Sequence, residues 1–394
     1  MASHAKTAAR HKLSVAGLFA GIGGIELGLH RAGHTSRLLC EVDPGATRVL
    51  ETRFKGVEVA SDVRELASVG SVDLLTAGFP CQDLSQAGRT KGIRGRNSGL
   101  VGHVFRLLDS AGKRGPKWLL LENVSFMLHL DQGNAMRYLV DELELRGYSW
   151  AYRVVDTRAF GLPQRRQRVI LLASKTEDPR GVLLAEDAGE PALASQKGLW
   201  CGFYWTEGTR GLGWAVDAVP TLKGGSTIGI ASPPAIWNPR NGFIATPDLK
   251  DAERLQGFDP DWTLPALEPE GVRRGHRWKL VGNAVSVPVA HWVGERLART
   301  DPGLVVEGPP HVGAWPKAAW GHKGKVFAVD ASMWPVQWPR ERLADFLRFP
   351  LTPLSARAAS GFFDRTQRGN LNFAPGFLDA VGAHAERMKR ALVA

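Results

Sequence analysis

The chain has 394 residues, more than the about 250–300 at which a single hydrophobic core usually divides, so two or more domains are expected. Hydrophobic residues make up 44% and charged residues 23%, a composition typical of globular proteins. The 50 Lys and Arg outnumber the 39 Asp and Glu, giving a net charge of +11. This charge excludes an acidic solvating protein and favours an anionic partner: nucleic acid, a membrane surface or a polyanionic substrate.

Cysteine content and apolar runs restrict the class of protein further. The three cysteines, Cys40, Cys81 and Cys201, are far apart and form no CxxC pair, which argues against a disulfide scaffold, a zinc site or an iron–sulfur site. No apolar run approaches the ~18–20 residues of a membrane span, and residues 1–12 are polar and basic, without the apolar core of a signal peptide. We expect a cytoplasmic protein with no metal and no membrane partner.

The first 175 residues alternate between predicted strands and predicted helices. Short, continuous apolar runs suit strands that are buried on both faces of a parallel sheet. The predicted strands are 13–19, 38–42, 57–63, 72–77, 118–124, 150–155 and 169–173. Helices are predicted at 98–111, where five apolar residues form one stripe, and at 135–145. The pattern predicts the α/β fold class, with a doubly wound, mostly parallel sheet.

The chain changes character near residue 176. Residues 176–245 are rich in Gly and Pro and contain Trp200, Trp205, Trp214 and Trp237, which we interpret as the core of a smaller domain. A helical stripe returns within 281–300, and 301–394 form a further section that ends in helical sequence. We therefore predict four segments: 1–175, 176–280, 281–300 and 301–394.

A glycine-rich turn directly follows the first predicted strand. Gly21, Gly23 and Gly24 let the backbone turn tightly and approach a ligand at a helix N-terminus. Glu41 ends the second strand, where a carboxylate can accept both ribose hydroxyls of a nucleoside, and Asp62 ends the third, where it could accept from an adenine amino group. The alternative is that both acids cap helices. Together the three features favour a nucleoside cofactor.

Cys81 lies just after the fourth predicted strand, at the edge of the sheet where α/β proteins bind ligands. A lone cysteine is usually a buried small hydrophobe. This one follows the rigid Pro80 and opens a basic loop, and nearby cations favour the nucleophilic thiolate. The same loop could hold phosphates. Its candidate phosphate-contacting residues are Ser85, Arg89, Lys91, Arg94 and Arg96, and Gln82 directly follows the cysteine.

The run Gly78-Phe79-Pro80-Cys81-Gln82 with Ser85 resembles the catalytic motif of the DNA (cytosine-5) methyltransferases. Five further blocks resemble motifs of that family in the right order. They are the loop Phe19-Ala20-Gly21-Ile22-Gly23-Gly24, Glu122-Asn123-Val124, Gln164-Arg165-Arg166-Gln167-Arg168, Arg254-Leu255-Gln256-Gly257-Phe258 and Gly282-Asn283-Ala284-Val285. The resemblance covers about residues 13–295 and implies a Rossmann-like S-adenosylmethionine-dependent fold.

The resemblance also implies roles for these residues. Cys81 would add to carbon 6 of cytosine, Glu122 would hydrogen-bond or protonate ring nitrogen 3, Arg168 would face oxygen 2, and Arg166 would support Glu122. Phe19 would stack on adenine, beside Glu41 and Asp62. Pro80, Asn283 and Val285 would complete the cofactor pocket. The target base would flip out of double-stranded DNA.

The segment 176–280 lies where the family keeps its target-recognition domain, and Thr221 and Leu222 resemble a Thr-Leu pair found there. Residues 1–175 would then be the catalytic domain, and 301–394 would be an extension of unassigned role. We expect a monomer, with a cognate restriction enzyme as a candidate partner. Two alternatives stay open: an RNA (tRNA) cytosine-5 methyltransferase of the same fold, and a non-catalytic nucleic-acid-binding Rossmann protein.

Overall fold

The computed structural model describes residues 11–79, 99–192, 197–224, 231–299 and 306–391. The chain forms two compact units. The larger unit comprises Met1–Ala159, Gln167–Glu190 and Val285–Gln337, and the smaller unit comprises Phe160–Arg166, Pro191–Ala284 and Trp338–Ala394. The chain therefore passes between the units five times. No helix within the described ranges combines the length and the apolarity needed to cross a membrane.

Sixteen strands are formed by the described residues. They are β1 Ser14–Leu18, β2 Thr35–Cys40, β3 Glu58–Ala60, β4 Leu74–Ala77, β5 Trp118–Val124, β6 Ser149–Asp156, β7 Gln164–Arg165, β8 Gln167–Ser174, β9 Cys201–Phe203, β10 Trp214–Val216, β11 Val219–Pro220, β12 Ala235–Asn238, β13 Phe243–Thr246, β14 Ala318–His322, β15 Lys325–Ala328 and β16 Thr352–Pro353. Each of the seven strands predicted from the sequence overlaps one of the first eight.

The described residues also form eleven α-helices. They are α1 Gly24–Arg31, α2 Pro44–Arg53, α3 Leu100–Ala111, α4 Asn134–Leu145, α5 Arg180–Leu183, α6 Leu249–Leu255, α7 His276–Asn283, α8 Val287–Leu297, α9 Leu343–Phe346, α10 Ala356–Gln367 and α11 Phe377–Arg390. Local sequence explains several helix starts. Asp43 accepts hydrogen bonds from the backbone N–H groups of Gly45 and Ala46 and precedes Pro44, so α2 begins with a capped first turn.

The larger unit is built on a nine-stranded sheet with the order β15-β14-β6-β8-β5-β4-β1-β2-β3. Strands β5, β4, β1, β2 and β3 are parallel, whereas β8, β6, β14 and β15 extend the sheet with antiparallel pairing. All of β4 is buried, as expected for a strand covered on both faces. The doubly wound, mostly parallel α/β fold predicted from the sequence is confirmed. Its parallel half brings the ends of β1, β2, β4 and β5 to one edge.

The smaller unit contains a five-stranded antiparallel sheet with the order β10-β9-β12-β13-β16 and a separate parallel pair, β11 with β7. Its core packs residues of α10 and α11 against the sheet. The ring centroid of Phe377 lies 4.9 Å from that of Phe203 and 5.2 Å from that of Trp237. Trp237 is buried in this core and Trp205 and Trp214 pack against it, which agrees with the small-domain interpretation of these tryptophans.

The predicted domain boundaries differ from those of the structure. Residues 176–190 belong to the larger unit, not to the segment predicted at 176–280. The section predicted at 301–394 is divided: its described part up to Gln337 adds β14 and β15 to the larger sheet, and the part after it adds β16, α10 and α11 to the smaller unit. The physical reason is strand pairing with distant segments, which local sequence pattern does not encode.

Candidate active site

The glycine-rich turn joins β1 to α1 through left-handed backbone conformations. Phe19 has φ 53°, Gly21 φ 56° and Gly23 φ 83°. A Cβ atom on Gly23 would lie 2.3 Å from the Phe54 ring, so glycine is required there, whereas none of the described residues comes within 4 Å of a Cβ built on Gly21. The turn is therefore close-packed behind Gly23 and open beside Gly21, where a ligand can approach the backbone.

Glu41 holds this turn to the end of β2. Its Oε2 accepts the backbone N–H of Gly21 at 2.8 Å, and its Oε1 accepts those of Val42 and Asp43, both at 2.9 Å. Oε1 already accepts two donors, whereas Oε2 has one lone pair left, so Glu41 can still accept a hydroxyl donor there. These three hydrogen bonds set the orientation of the Glu41 carboxylate, and its predicted role in cofactor binding stays a prediction.

Asp62 has a competing partner that sequence reasoning missed. Its two carboxylate oxygens accept from Nε and a terminal nitrogen of Arg64, with the closest approach at 2.5 Å. The side-chain and backbone hydrogen bonds from Arg64 lower the pKa of Asp62 to about 2. Contact with an adenine amino group would require Asp62 to share its oxygens with Arg64 or to exchange them.

Glu122 and Arg168 form an ion pair at the carboxyl end of β5. The antiparallel register of β5 with β8 sets Val124 opposite Arg168, and Arg168 Nε lies 3.0 Å from Glu122 Oε1. The N–H of Arg168 is not aligned for a hydrogen bond to that oxygen. Glu122 is buried. The structure thus brings together two of the predicted catalytic residues, one acidic and one basic, at the expected sheet edge.

The segment leading out of β4 is fixed beside this pair. A Cβ on Gly78 would lie 3.8 Å from Glu122 Oε2, 3.8 Å from Val285 Cγ2 and 3.9 Å from the Phe19 carbonyl oxygen. Asn123 Nδ2 donates to the Phe79 carbonyl oxygen at 3.0 Å. The predicted cofactor residues Phe19 and Val285 therefore converge with Glu122 around Gly78.

Several predicted site residues lie outside the described residues, between 80 and 98. They are the nucleophile Cys81, the cofactor-contacting Pro80 and the DNA-contacting Gln82, Ser85, Arg89, Lys91, Arg94 and Arg96.

Arg166 has partners other than the one expected from the sequence. Its guanidinium is buried in the smaller unit and donates to the carbonyl oxygens of Leu222, Gly282 and Ala284 at 3.2, 3.1 and 2.7 Å. These contacts attach Arg166 to two backbone segments of the smaller unit, at Leu222 and at Gly282–Ala284, and its predicted support of Glu122 stays a prediction. A sequence cannot distinguish a carboxylate from a carbonyl as the partner of an arginine.

The Thr-Leu pair is also bound to the backbone of the smaller unit. Thr221 Oγ1 donates to the Arg165 carbonyl oxygen at 2.9 Å, and the Leu222 N–H donates to Gln164 Oε1 at 3.0 Å. The Leu222 side chain is 2% exposed, so the predicted contact of this side chain with DNA disagrees with its burial. Asn283, the last residue of α7, is exposed.

Three features near the site were missed. Val42, next to Glu41, is 66% exposed, and Phe126, two residues after β5, is 60% exposed. The available signal for Val42 was an apolar residue directly after a strand-end acid. The third feature is a turn in which Asp131, Gln132 and Gly133 all have positive φ; aspartate and glycine are enriched in that conformation, but the residue type of Gln132 does not predict it.

Comparison with known proteins agrees with this geometry. The family model described as C-5 cytosine-specific DNA methylase matches residues 13–195. The chain is 49% identical over 378 residues to the type II methyltransferase M2.BsuMI of Bacillus subtilis (strain 168), covering 94% of this chain and 97% of that protein. It is 30% identical over 312 residues to M.NlaX of Neisseria lactamica, covering 71% and 94%.

Among solved structures, the S. pombe Dnmt2 methyltransferase aligns with a TM-score of 0.52 and 17% identity, over 72% of this chain and 98% of that one. A likeness at this identity establishes the methyltransferase fold. The fold, the sheet-edge site and the close relatives together define an α/β methyltransferase.

The chain belongs to the C-5 cytosine-specific DNA methylases. It is a DNA cytosine-5 methyltransferase that uses S-adenosylmethionine. These comparisons support DNA as the substrate over the RNA alternative, and the non-catalytic interpretation is wrong. The open space beside Gly21 and the adjacent Glu41 carboxylate fit a nucleoside cofactor with ribose hydroxyls.

Proposed function

We propose that the enzyme methylates one cytosine within a specific double-stranded DNA sequence through a covalent adduct with Cys81. The observation that carries this proposal is the buried Glu122–Arg168 pair beside Gly78, because Gly78 begins the segment that leads to Cys81. An acid, a base and a thiol at one strand edge are what addition to a cytosine ring requires.

The chemistry follows from the ring of cytosine. Addition of the Cys81 thiolate to carbon 6 makes carbon 5 nucleophilic and places negative charge on the ring. Glu122 would hydrogen-bond ring nitrogen 3, and Arg168 would offset the charge developing at oxygen 2. S-adenosylmethionine supplies the electrophilic methyl group. Loss of the carbon 5 proton to a base then eliminates Cys81 and restores aromaticity.

The cofactor would be held by residues of the larger unit around the glycine-rich turn. Phe19, Gly21, Gly23 and Gly24 would form the floor, and Glu41 would accept from the ribose hydroxyls. Asp62, Pro80 and Val285 complete the proposed set in this unit, whereas Asn283 belongs to the smaller unit and its cofactor role stays a prediction from the sequence. The smaller unit would read the target sequence, and the basic residues between 85 and 98 would bind phosphates of the flipped nucleotide.

The biological setting is inferred from the relatives. Their designation as type II methyltransferases supports a role in a restriction–modification system with a cognate restriction enzyme. The enzyme would act as a monomer on DNA in the bacterial cytoplasm or nucleoid.

Methyl transfer to DNA tests the proposed nucleophile. With S-adenosylmethionine labelled in its methyl group, the wild-type enzyme should label duplex DNA, and Cys81→Ser should lower labelling by at least about 10⁴-fold because a hydroxyl is a much weaker nucleophile. Cys201→Ser is the matched control, since Cys201 is buried in the smaller unit, and it should retain labelling.

Two further readouts separate the alternatives. DNA with 5-fluorocytosine should trap a covalent complex with wild-type enzyme, because no carbon 5 proton can leave, and Cys81→Ser should trap none. Labelling of transfer RNA in preference to DNA would overturn the DNA assignment, and full labelling by Cys81→Ser would overturn the mechanism.

A further inference from the structure

Glu26 is a buried carboxyl group that the proposed mechanism does not use. It lies in the first turn of α1, two residues after the glycine-rich turn, and is 1% exposed. Its Oε1 accepts from Thr76 Oγ1 at 2.9 Å, and its Oε2 is buried with no hydrogen-bond partner among the described residues. A buried oxygen without a donor costs free energy, so its retention calls for a functional explanation.

The sheet beneath Glu26 is shaped to hold this carboxyl. Gly17 of β1 and Thr76 of β4 are direct neighbours in the parallel register. A Cβ on Gly17 would lie 2.3 Å from Glu26 Oε1, so a residue larger than glycine would displace the carboxyl. Thr76 supplies the matching donor. The pocket is therefore built for an oxygen-bearing side chain in the middle of an otherwise apolar strand pair.

Glu26 can change its charge near neutral pH. Burial is the main cause that raises the pKa of Glu26 to about 7; a hydrogen bond with its own backbone and the hydrogen bond from Thr76 oppose the rise, and the Glu41 carboxylate makes a smaller contribution to it. A group with this pKa is largely neutral at pH 6 and largely ionised at pH 8.5.

The neighbouring elements carry few other titratable groups. His30 lies one turn further along α1, and burial lowers its pKa, so it is neutral near pH 7. Helix α8, which packs on α1 at Gly28, carries His291 and Glu295, 3.7 Å apart. Strand β5 carries Glu122, which contacts Arg168. Glu41 is the charged group whose field raises the pKa of Glu26.

Glu41 also links Glu26 to the proposed cofactor turn, because its Oε2 binds the Gly21 N–H. The two forms of the cofactor differ in charge: S-adenosylmethionine has a positively charged sulfonium, and its product S-adenosylhomocysteine has a neutral thioether. A carboxylate close behind the turn interacts with the first more favourably than with the second.

We propose that Glu26 determines the preference for substrate cofactor over product, by attracting the sulfonium when ionised and losing its proton when S-adenosylmethionine binds. The proposal rests on the cofactor site given under Proposed function. By linkage, a ligand that favours the ionised form of Glu26 must be bound more tightly when Glu26 is ionised.

Calorimetric binding without DNA tests this, because no turnover occurs. For the wild type, the ratio of the S-adenosylhomocysteine Kd to the S-adenosylmethionine Kd should rise about fivefold or more between pH 6 and pH 8.5. In Glu26→Gln, which keeps the acceptor for Thr76 but cannot ionise, this rise should be absent. Glu58→Gln removes an exposed carboxylate of the same unit and should behave as wild type.

Proton release gives an independent readout. Titrations at pH 7 in two buffers with different ionisation enthalpies should show that S-adenosylmethionine releases more protons than S-adenosylhomocysteine, and Glu26→Gln should abolish the difference. Thr76→Val removes the hydrogen bond that lowers the pKa of Glu26, so it should move the midpoint of the affinity change to higher pH. Thermal unfolding of each variant establishes that it folds.

The outcomes separate this proposal from the proposed function. If neither ligand binds the wild type, the proposed cofactor site is wrong, and so is the proposed role of Glu26. If both ligands bind, but the affinity ratio does not change with pH or changes equally in Glu26→Gln, the role of Glu26 alone is wrong. Loss of the change in Glu26→Gln, with its retention in Glu58→Gln, supports the proposal.

Discussion

Arg168 meets Glu122 because β5 and β8 run antiparallel, in a register that pairs Arg168 with Val124 and so places it diagonally from Glu122 on the same face of the sheet. Arg168 Nε approaches Oε1 of the carboxylate, and a lysine ammonium at the same position would lack the planar guanidinium. Geometry at this pair therefore depends on the arginine fork as well as on its charge.

Arg168→Lys should lower kcat by about 10²-fold or more while leaving the Kd of S-adenosylmethionine within about twofold, because it disturbs charge stabilisation in the reaction. The exposed Arg165→Lys, on neighbouring β7, should keep kcat within about threefold. Single-turnover methylation and calorimetry measure the two quantities. Equal losses in both variants would contradict a specific role for Arg168.

Some residues of the site could be predicted from the sequence, and the partners of others could not. Glu41 and Glu122 could be singled out because each ends a short apolar run, and strand ends meet at one edge of a parallel sheet. The partners of Asp62 and Arg166 could not be predicted. Nothing in the sequence singles out Arg64, or the three backbone carbonyl groups, as the groups that these side chains bind.

The turn at residues 131–133, which follows β5, is packed against Trp315, a residue of a distant segment of the chain. Gly133 has φ 85°, its carbonyl oxygen accepts from Trp315 Nε1 at 2.9 Å, and a Cβ on it would lie 2.8 Å from Trp315 Cδ1. Arg137 covers the Trp315 ring at 4.7 Å. Asp131 and Gln132 are thus held in left-handed conformations just beyond the Glu122 strand.

Gly133→Ala should destabilise the protein by about 2–4 kcal/mol, since it adds a steric clash to the about 1–2 kcal/mol cost of a left-handed alanine. Gly33→Ala is the matched control: Gly33 has φ 98° but nothing within 4 Å of its Cβ position, so only the backbone cost applies. Urea unfolding measures both. Equal destabilisation would show that Trp315 does not constrain the turn.

The β14–β15 hairpin was not among the strands predicted from the sequence. The seven earlier strands were predicted because they are continuous apolar runs, but β14 and β15 pair at the antiparallel edge of the sheet and carry weaker patterns. The available signal was the turn: Lys323 and Gly324 both have positive φ between paired His322 and Lys325, as a two-residue hairpin loop requires.

At the scale of the whole molecule, residues after Trp338 complete the smaller unit. Phe362, Phe377 and Val381 are fully buried in the same cluster as Phe203 and Ile244. Arg365 donates to the carbonyl oxygens of Trp205 and Glu207. The composition of this section suggested only helices, because four of the five strands that they cover, all but β16, lie more than a hundred residues earlier in the chain.

Phe377→Ala should cost about 3–5 kcal/mol, because it leaves a cavity among five aromatic rings. We expect the smaller unit to lose its packing first, so DNA affinity should fall at least tenfold while S-adenosylmethionine still binds. Val312→Ala, at a side chain that is 95% exposed, should change stability by less than about 0.5 kcal/mol. If a destabilised Phe377→Ala variant kept its full DNA affinity, the proposal that the smaller unit binds DNA and the larger unit binds the cofactor would be contradicted.

The five passages of the chain between the units have a consequence for biosynthesis. On a ribosome, the parallel half of the larger sheet is available early, but β14 and β15, and then β16, α10 and α11, leave the exit tunnel last. Neither unit is complete until nearly the whole polypeptide has been translated. A nascent chain that stalls before Ala318 therefore lacks the β14–β15 hairpin of the larger unit as well as β16, α10 and α11 of the smaller unit.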